Sequence, residues 1–312
     1  VFACGKPHFV NHAMMTADLG PDYGVVSCYN SLRQGGGSHT LVRLNLAESA
    51  RRSGGVEDYL STTLPEHVAI TAELMASRIT SLVEQAKFFD HSWLVEEGLL
   101  HLDRMSAMFG VYGLAECVDS LVAASGGTGR YGHDADATAL GWRIVERVAE
   151  LVAATPLPYC EGNAGRAFLH SQSGIDSDLG VTAGTRIPIG DEPPLYEHLA
   201  AVTPNHKWFA SGVSDILSFD ETAVRNPQAC VDVVRGALAS GMRDVTFNLD
   251  SNDFIRITGY LVRKSDLAKL EATGVARNGS DVLAAGSVAN SHSDKRAAKR
   301  VISHESAPRA AG

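Results

Sequence analysis

The sequence predicts an α/β chain. Three observations carry that expectation. The first is a strand-like alternation of apolar residues in "TLVRLNLAE", residues 40–48. The second is a pair of helical stripes, over residues 63–90 and 136–154. The third is a helix followed by strands between residues 227 and 264. Composition agrees with a folded globular protein, since 45% of the 312 residues are hydrophobic and 20% are charged. That length suffices for one large domain or two modest ones. A formal charge of -9 argues against a nucleic-acid surface over most of the protein. It leaves room for an anionic small molecule in a locally positive pocket, and the expected partner is a small-molecule substrate. No run of about 18 apolar residues occurs, so no membrane helix is expected. The five cysteines, Cys4, Cys28, Cys117, Cys160 and Cys230, contain no CxxC pair. They argue against a disulfide framework and against a four-cysteine zinc site, and for a reducing, cytoplasmic setting. The chain opens at Val1 as if in mid-element and without a signal-peptide pattern, so an amino-terminal part of a longer protein is expected ahead of it.

The elements follow in order. "YGVVSCYNSL" holds a short apolar run ending at Cys28, "RQGGGSHT" reads as a flexible loop, and "TLVRLNLAE" as a strand. Thr63 and Glu66 fit a capping box with Pro65 in the first turn, and Leu74, Ile79, Leu82, Val83 and Ala86 follow at helical spacing. Residues 101–124 read as helical, weakened by Gly110 and Gly113. Residues 136–154 form a stronger stripe, stopped at Thr155-Pro156. From 156 to 215 the chain is rich in Gly, Pro, Ser and Asp and reads as a long irregular region of functional loops. A helix is expected over 227–240, then two strands with a turn at residues 250–253, then a short helix from Ser265 to Leu270 closed by Gly274. The organisation expected is one domain over 1–274 and a basic, solvated tail over 275–312.

Most motifs carry little chemistry. "GTGRYG" at 127–132 matches GxGxxG, but a helix precedes it where a dinucleotide site needs a strand, so it reads as a helix–helix connection. His8 and His12 have the i,i+4 spacing of a metal pair, yet no Glu accompanies them and Pro7 lies just before, so structural or substrate-contact roles fit better and no metal is expected. "LHSQSG" is not GxSxG. Cys28 stands at the end of an apolar run, just before a polar glycine-rich loop; on composition alone it reads as a buried core cysteine. Gly259 interrupts the strand-like run "FIRITGYLVRK" and marks a bend, a bulge or a close approach.

Taken together, "RITGYLVR", "GVVSCYNSLRQGGGSHTLVRLNLAESA", "MFGVYGLAECVDSL" and "YGHDADATALGWRIV" resemble segments of the glycyl radical enzymes, and they occur in the order of that superfamily: cysteine, helices, glycine loop. Within it the chain resembles the YjjI-type glycine radical family over about residues 1–270. The resemblance implies a ten-stranded α/β barrel of two five-stranded halves, with the cysteine on a loop inside it and the glycine loop beside it. It implies a radical stored on Gly259, a thiyl radical on Cys28, with Cys4 as the runner-up, and a glycine loop shaped by Arg256 and Tyr260. His8, Asn11, Asn30 and His39 flank the cysteine segment and are candidates to line the pocket, as is Glu116 in "GLAEC". No CxxxCxxC cluster motif is present. The radical is therefore expected to come from a separate radical-SAM activating enzyme carrying a [4Fe–4S] cluster, under anaerobic conditions, with no other bound cofactor in this chain. A homodimer is compatible with the resemblance. Anaerobic ribonucleotide reductases usually carry four cysteines near the glycine loop, and here none follows Cys230; pyruvate formate-lyase carries two adjacent cysteines, and here Tyr29 follows Cys28. Reductase-like or formate acetyltransferase-like activity, or a non-catalytic glycyl radical paralogue, stand as the alternatives, with a metal enzyme using His8 and His12 behind them.

Overall fold

The structure is a computed structural model that describes residues 8–26, 30–171, 181–188, 190–249, 253–256 and 261–273. Ten strands occur among them: β1 (Phe9–Val10), β2 (Tyr23–Val25), β3 (Ser31–Arg33), β4 (Gly37–Asn45), β5 (Met105–Tyr112), β6 (Ala167–Ser171), β7 (Asp215–Phe219), β8 (Asp244–Leu249), β9 (Phe254–Arg256) and β10 (Leu261–Arg263). β4, β5 and β6 pair in parallel, and so do β7 and β8. A parallel bridge between Ser171 and Val213 joins the two groups, and β1 closes the far edge antiparallel to β8. The strands therefore run β4-β5-β6-β7-β8 in chain order. Parallel neighbours require long crossovers, and helices supply them.

Those helices are α1 (His12–Leu19), α2 (Leu46–Ala50), α3 (Leu64–Thr80), α4 (Leu114–Ala124), α5 (Ala135–Ala154), α6 (Leu195–His206), α7 (Pro227–Ser240) and α8 (Lys264–Thr273). α5 starts where the Asp134 carboxylate accepts from the Asp136 and Ala137 amides at 3.1 and 3.0 Å. α7 starts at Pro227 with an Asn226 cap and ends at Gly241, whose φ of +111° few side-chain-bearing residues adopt. One face of the parallel strands, including Phe109, Val111, Leu169, Leu217, Val245 and Phe247, packs with α2 to α7 into a single large core. α1 and the hairpin β2–β3 cover part of the other face, where Phe168 buries against Met15 and Leu19 with Tyr23 and Val25 alongside.

The fold class is α/β, as expected. The ten-stranded barrel is not what the described residues form: they make a five-stranded parallel sheet with one antiparallel edge and two hairpins, and no closed barrel. Several local expectations are corrected. Residues 105–112 are strand β5, between β4 and β6, not helix. A strand buried on both faces shows no period-2 alternation, so "MSAMFGVY" hides its conformation. The 156–215 region contains β6 and α6. The capping box at Thr63 does not form, because the helical path begins upstream at Val56 and the Thr63 hydroxyl donates to Asp58 instead. Leu74, placed in the apolar stripe, is half exposed, and Val68, Ala72, Met75 and Ile79 make the buried face. Gly37 to Thr40 belong to β4 rather than to a loop. The run from Phe254 to Arg263 is not one strand but the antiparallel pair β9–β10, in register Arg256 to Leu261.

Candidate active site

Side-chain alternation builds the inner face of the sheet. Phe109 and Val111 point into the core, so Met108, Gly110 and Tyr112 point inward; Leu169 points to the core, so Phe168 and His170 point inward. On β4, Val42 and Leu44 pack on the core, which turns Leu41 and Arg43 inward. Register then sets Arg43, Gly110 and His170 in one row across three strands. The Gly110 position confirms the directions: a Cβ built there would lie 2.5 Å from Arg43 Cγ and 3.2 Å from Leu41 Cδ1. The Arg43 side chain thus crosses over β5 in space that only a glycine leaves, and its guanidinium lies over the Tyr112 ring, 5.3 Å from the centroid.

The inner face changes character along the strands. Near their starts it is apolar, with Phe168 beneath α1 and the β2–β3 hairpin and the buried Met108 beside it on β5. One step further it carries Arg43, Tyr112 and His170. The hairpin stops at that boundary. Its strands pair Tyr23 with Arg33 and Val25 with Ser31, Val26 N–H donates to Asn30 O at 2.8 Å, and Ser31 N–H donates to Ser211 O at 2.9 Å. The same Ser211 carbonyl receives His170 Nδ1 at 2.9 Å. A carbonyl partner assigns the proton to Nδ1, and it ties the fully buried His170 ring to the base of the hairpin tip.

The candidate residues from the sequence distribute as follows. Cys28 belongs to residues 27–29 at the end of this hairpin, outside the described residues, as are Cys4, Gly259 and Tyr260. Gly259 falls in sequence between β9 and β10, and β9 lies against β8. Arg256 is the last residue of β9. Asn30 lies beside the tip, and its Oδ1 is buried with no hydrogen-bond partner. His8 and Asn11 sit at the starts of the strands: His8 Nδ1 is 3.3 Å from Asp244 Oδ1, and Asn11 caps α1 while donating to Leu238 O and Met242 O at 2.9 and 3.1 Å. His12 pairs separately with the Tyr23 hydroxyl, and no group of three or more His, Cys, Asp or Glu among the described residues forms a metal cage. His39 is near the start of β4, its Nε2 on Tyr159 O at 2.7 Å and its ring edge-on to Phe89; burial lowers its pKa. Glu116, in the first turn of α4, accepts from Thr182 N–H at 2.8 Å and from the Thr182 hydroxyl, fastening the segment that crosses the ends of β5 and β6. The structure therefore brings Asn30 to the hairpin tip and leaves the other pocket candidates engaged elsewhere. It adds Arg43, Tyr112 and His170, whose only sequence signal is their inward place on strands that had first to be recognised.

Other buried reactive groups belong to the core. Burial pushes the Cys117 and Cys160 thiols up to about 12. His198 and Asp215 pair at 2.8 Å between α6 and β7, on the core side of the sheet. No helix among the described residues is long and apolar enough to cross a membrane.

The chain superposes on the glycerol-bound B12-independent glycerol dehydratase from Clostridium butyricum with a TM-score of 0.64 at 11% identity, covering 84% of this chain and 47% of that one. Against the anaerobic ribonucleotide reductase from Thermotoga maritima with glycerol in its active site, the TM-score is 0.58 at 12% identity, over 74% and 44% of the two chains. These likenesses establish the fold. The family described as glycyl radical enzyme YjjI-like matches residues 1–299, and the chain belongs to that family. It is 48% identical over 278 residues to the uncharacterized protein YjjI of Escherichia coli K12, covering 88% of this chain and 53% of YjjI. It is 36% identical over 274 residues to an uncharacterized protein of Haemophilus influenzae Rd, covering 87% and 53%. The chain spans about half the length of these relatives.

Proposed function

We propose that the protein is a glycyl radical enzyme in which Gly259 stores the radical and Cys28 applies it to a small-molecule substrate. The observation that carries this reading is the β2–β3 hairpin. It lies on the inner face of the sheet, and Cys28 falls in sequence between its two strands. The glycine segment stands between two short antiparallel strands next to β8.

The chemistry follows from bond strengths and access. A radical on a glycine α-carbon is shared between the flanking amide and carbonyl, and glycine has no side chain to obstruct planarity or close approach. The α-carbon takes the hydrogen atom of the Cys28 S–H bond, which leaves a thiyl radical. The thiyl then takes a hydrogen atom from a substrate C–H bond, which restores S–H and leaves a substrate radical. After rearrangement, the product radical recovers that hydrogen and the sequence reverses to Gly259. Each step moves one hydrogen atom and is steeply distance dependent, so it needs an enclosed, dry site. Arg256 and Tyr260 shape the glycine segment in this reading, and Asn30 lines the pocket with its unpartnered carbonyl oxygen. The radical is installed by a radical-SAM activating enzyme with a [4Fe–4S] cluster, acting at Gly259 without oxygen. Dehydration, as in the Clostridium butyricum enzyme, and reduction, as in the Thermotoga maritima enzyme, are both open to a substrate radical generated this way.

The test is anoxic activation followed by electron paramagnetic resonance. A doublet from one α-hydrogen is expected in the wild-type protein and absent from Gly259→Ala. Exposure to oxygen after activation should cleave the chain at Gly259. An active activase that yields no signal, or a signal that survives Gly259→Ala, refutes the reading.

A further inference from the structure

Outside the sheet, α6 and α7 leave a groove. They lead into the parallel strands β7 and β8, so they run side by side in one direction. They meet at Thr203 and Gly241, where a Cβ built on the glycine would lie 3.7 Å from Thr203 Cγ2. Beside that contact an open cleft of about 910 Å³ lies between them. Ala200 and Thr203 line it from α6, and Ala229, Gly236 and Ser240 from α7. These residues recur at helical steps of three, four and seven, so each helix turns a row of small side chains outward. The neighbouring α5 sets Arg143, Glu146 and Glu150 at the same steps of its exposed face. Charges there mark a solvated surface, whereas the small, uncharged rows of α6 and α7 mark one that another backbone can approach closely. A Cβ on Gly236 meets nothing within 4 Å. The charged groups stand on the rims, Lys207 at the end of α6 and Asp232 on α7, and Tyr196 projects beside the cleft at 80% exposure. The rows span residues 196–207 and 229–240, about 16 Å at 1.5 Å per residue, which is the length of a three-turn helix.

The amino-terminal side of the chain arrives at the same corner. Asn11 donates to Leu238 O and Met242 O at the end of α7, and Met14 borders the cleft. His8, the first described residue, lies against Asp244 of β8. The chain spans about half the length of its Escherichia coli and Haemophilus influenzae relatives. A segment that precedes residue 8 therefore starts near the groove, and a short tether gives it a high effective concentration there.

We propose that the α6–α7 groove seats an amphipathic helix of about three turns, supplied by the part of the longer family protein that precedes residue 8. Its apolar stripe fills the cleft over Ala200, Thr203, Ala229 and Gly236, with an acid facing Lys207 and a base facing Asp232. A second copy of the chain is the poorer occupant. A two-fold contact must match a face to itself, and this face is concave along its length. Two copies, each with a formal charge of -9, also repel one another. The proposal is independent of the radical chemistry.

The experiment uses the full-length protein as its gene encodes it, with p-benzoylphenylalanine in place of Tyr196, one exposed aromatic ring for another. Illumination is expected to join position 196 to a peptide from ahead of residue 8 in the same molecule, read by mass spectrometry. Gly236→Trp fills the groove from a position with free space around it. It should cut that crosslink at least tenfold and speed tryptic release of the amino-terminal segment at least tenfold. Should Gly236→Trp fail to fold, Ala200→Glu, at an exposed position on the other wall, replaces it. No crosslink, a crosslink to a second copy, a crosslink only to residues 8–312, a crosslink or a release rate indifferent to the groove substitution, or a gene that encodes nothing ahead of Val1 overturns the proposal.

Discussion

Gly110→Ala is the sharpest probe of the inner-face geometry. The added methyl would stand 2.5 Å from Arg43 Cγ and 3.2 Å from Leu41 Cδ1. Carbon atoms in contact settle near 3.5–4.0 Å, so a displacement of roughly 1 Å is forced. The Arg43 atom involved is close to its own backbone in the neighbouring strand, where it has little freedom to move away. Overpacking of this kind costs about 1–3 kcal/mol. Gly236 supplies the control. It is exposed, within α7, and a Cβ there meets nothing within 4 Å. Gly236→Ala should therefore stabilise by about 0.5–1 kcal/mol, because glycine gives up more backbone freedom than alanine in a helix. The assay is urea denaturation of both variants beside the wild type. The same substitution is expected to have opposite signs at the two sites. A Gly110→Ala protein as stable as wild type would refute the placement of Arg43 across β5.

Three further predictions follow from named contacts. Asn11→Ala removes the cap of α1 and its two bonds to the α7–β8 turn; it should cost about 1–2 kcal/mol in denaturant unfolding and release α1 to faster amide exchange before α5. Burial lowers the pKa of His206 to about 4, near Asp215, Arg243, Arg186 and His198. The unfolded chain takes up that proton below about pH 6.5 and the folded protein only near 4. Stability should accordingly fall as pH falls through this window, by at most roughly 3 kcal/mol. His206→Asn, which preserves an acceptor for Arg243 N–H, should flatten the acid limb of the stability–pH curve; an unchanged limb would contradict the assignment. His198 works in the opposite sense. Burial lowers its pKa, the Asp215 charge and hydrogen bond outweigh that and raise it, and its contribution is full below its unfolded pKa and lost as pH rises through the folded one. Asp215→Asn should remove that loss at the alkaline side, read from the same set of urea melts.

What could be read from the sequence depended on how each element is solvated. α5 and α7 each bury one face and carry local caps, at Asp134 and Asn226, so stripe and boundary were both legible. β5 is buried on both faces and gave no alternation to read. α6 buries His198, Asn205 and His206 and contains Pro204, so it has neither an apolar stripe nor a clean composition. β9 and β10 are three residues each, too short for periodicity, which is why one interrupted strand was expected where a hairpin stands. For the site, the order of four quoted segments supplied Cys28 and Gly259 as candidates, and both lie outside the described residues. The row of Arg43, Gly110 and His170 was not legible, because parallel register between distant strands brings it together and no local pattern records that register. Gly110 left a trace, as a residue that weakened an expected helix; its cause is the arginine it admits.

The central claim is that a hydrogen atom passes between Gly259 and Cys28. Thiol hydrogens exchange with water, whereas carbon-bound hydrogens do not. Activation in deuterated buffer should therefore replace the Gly259 α-hydrogen by way of Cys28, without any substrate. The account predicts that the wild-type doublet collapses to a narrowed single line in D2O and that Cys28→Ser, activated identically, keeps its doublet. A wild-type doublet that persists in D2O, or a collapse that proceeds equally in Cys28→Ser, would contradict it.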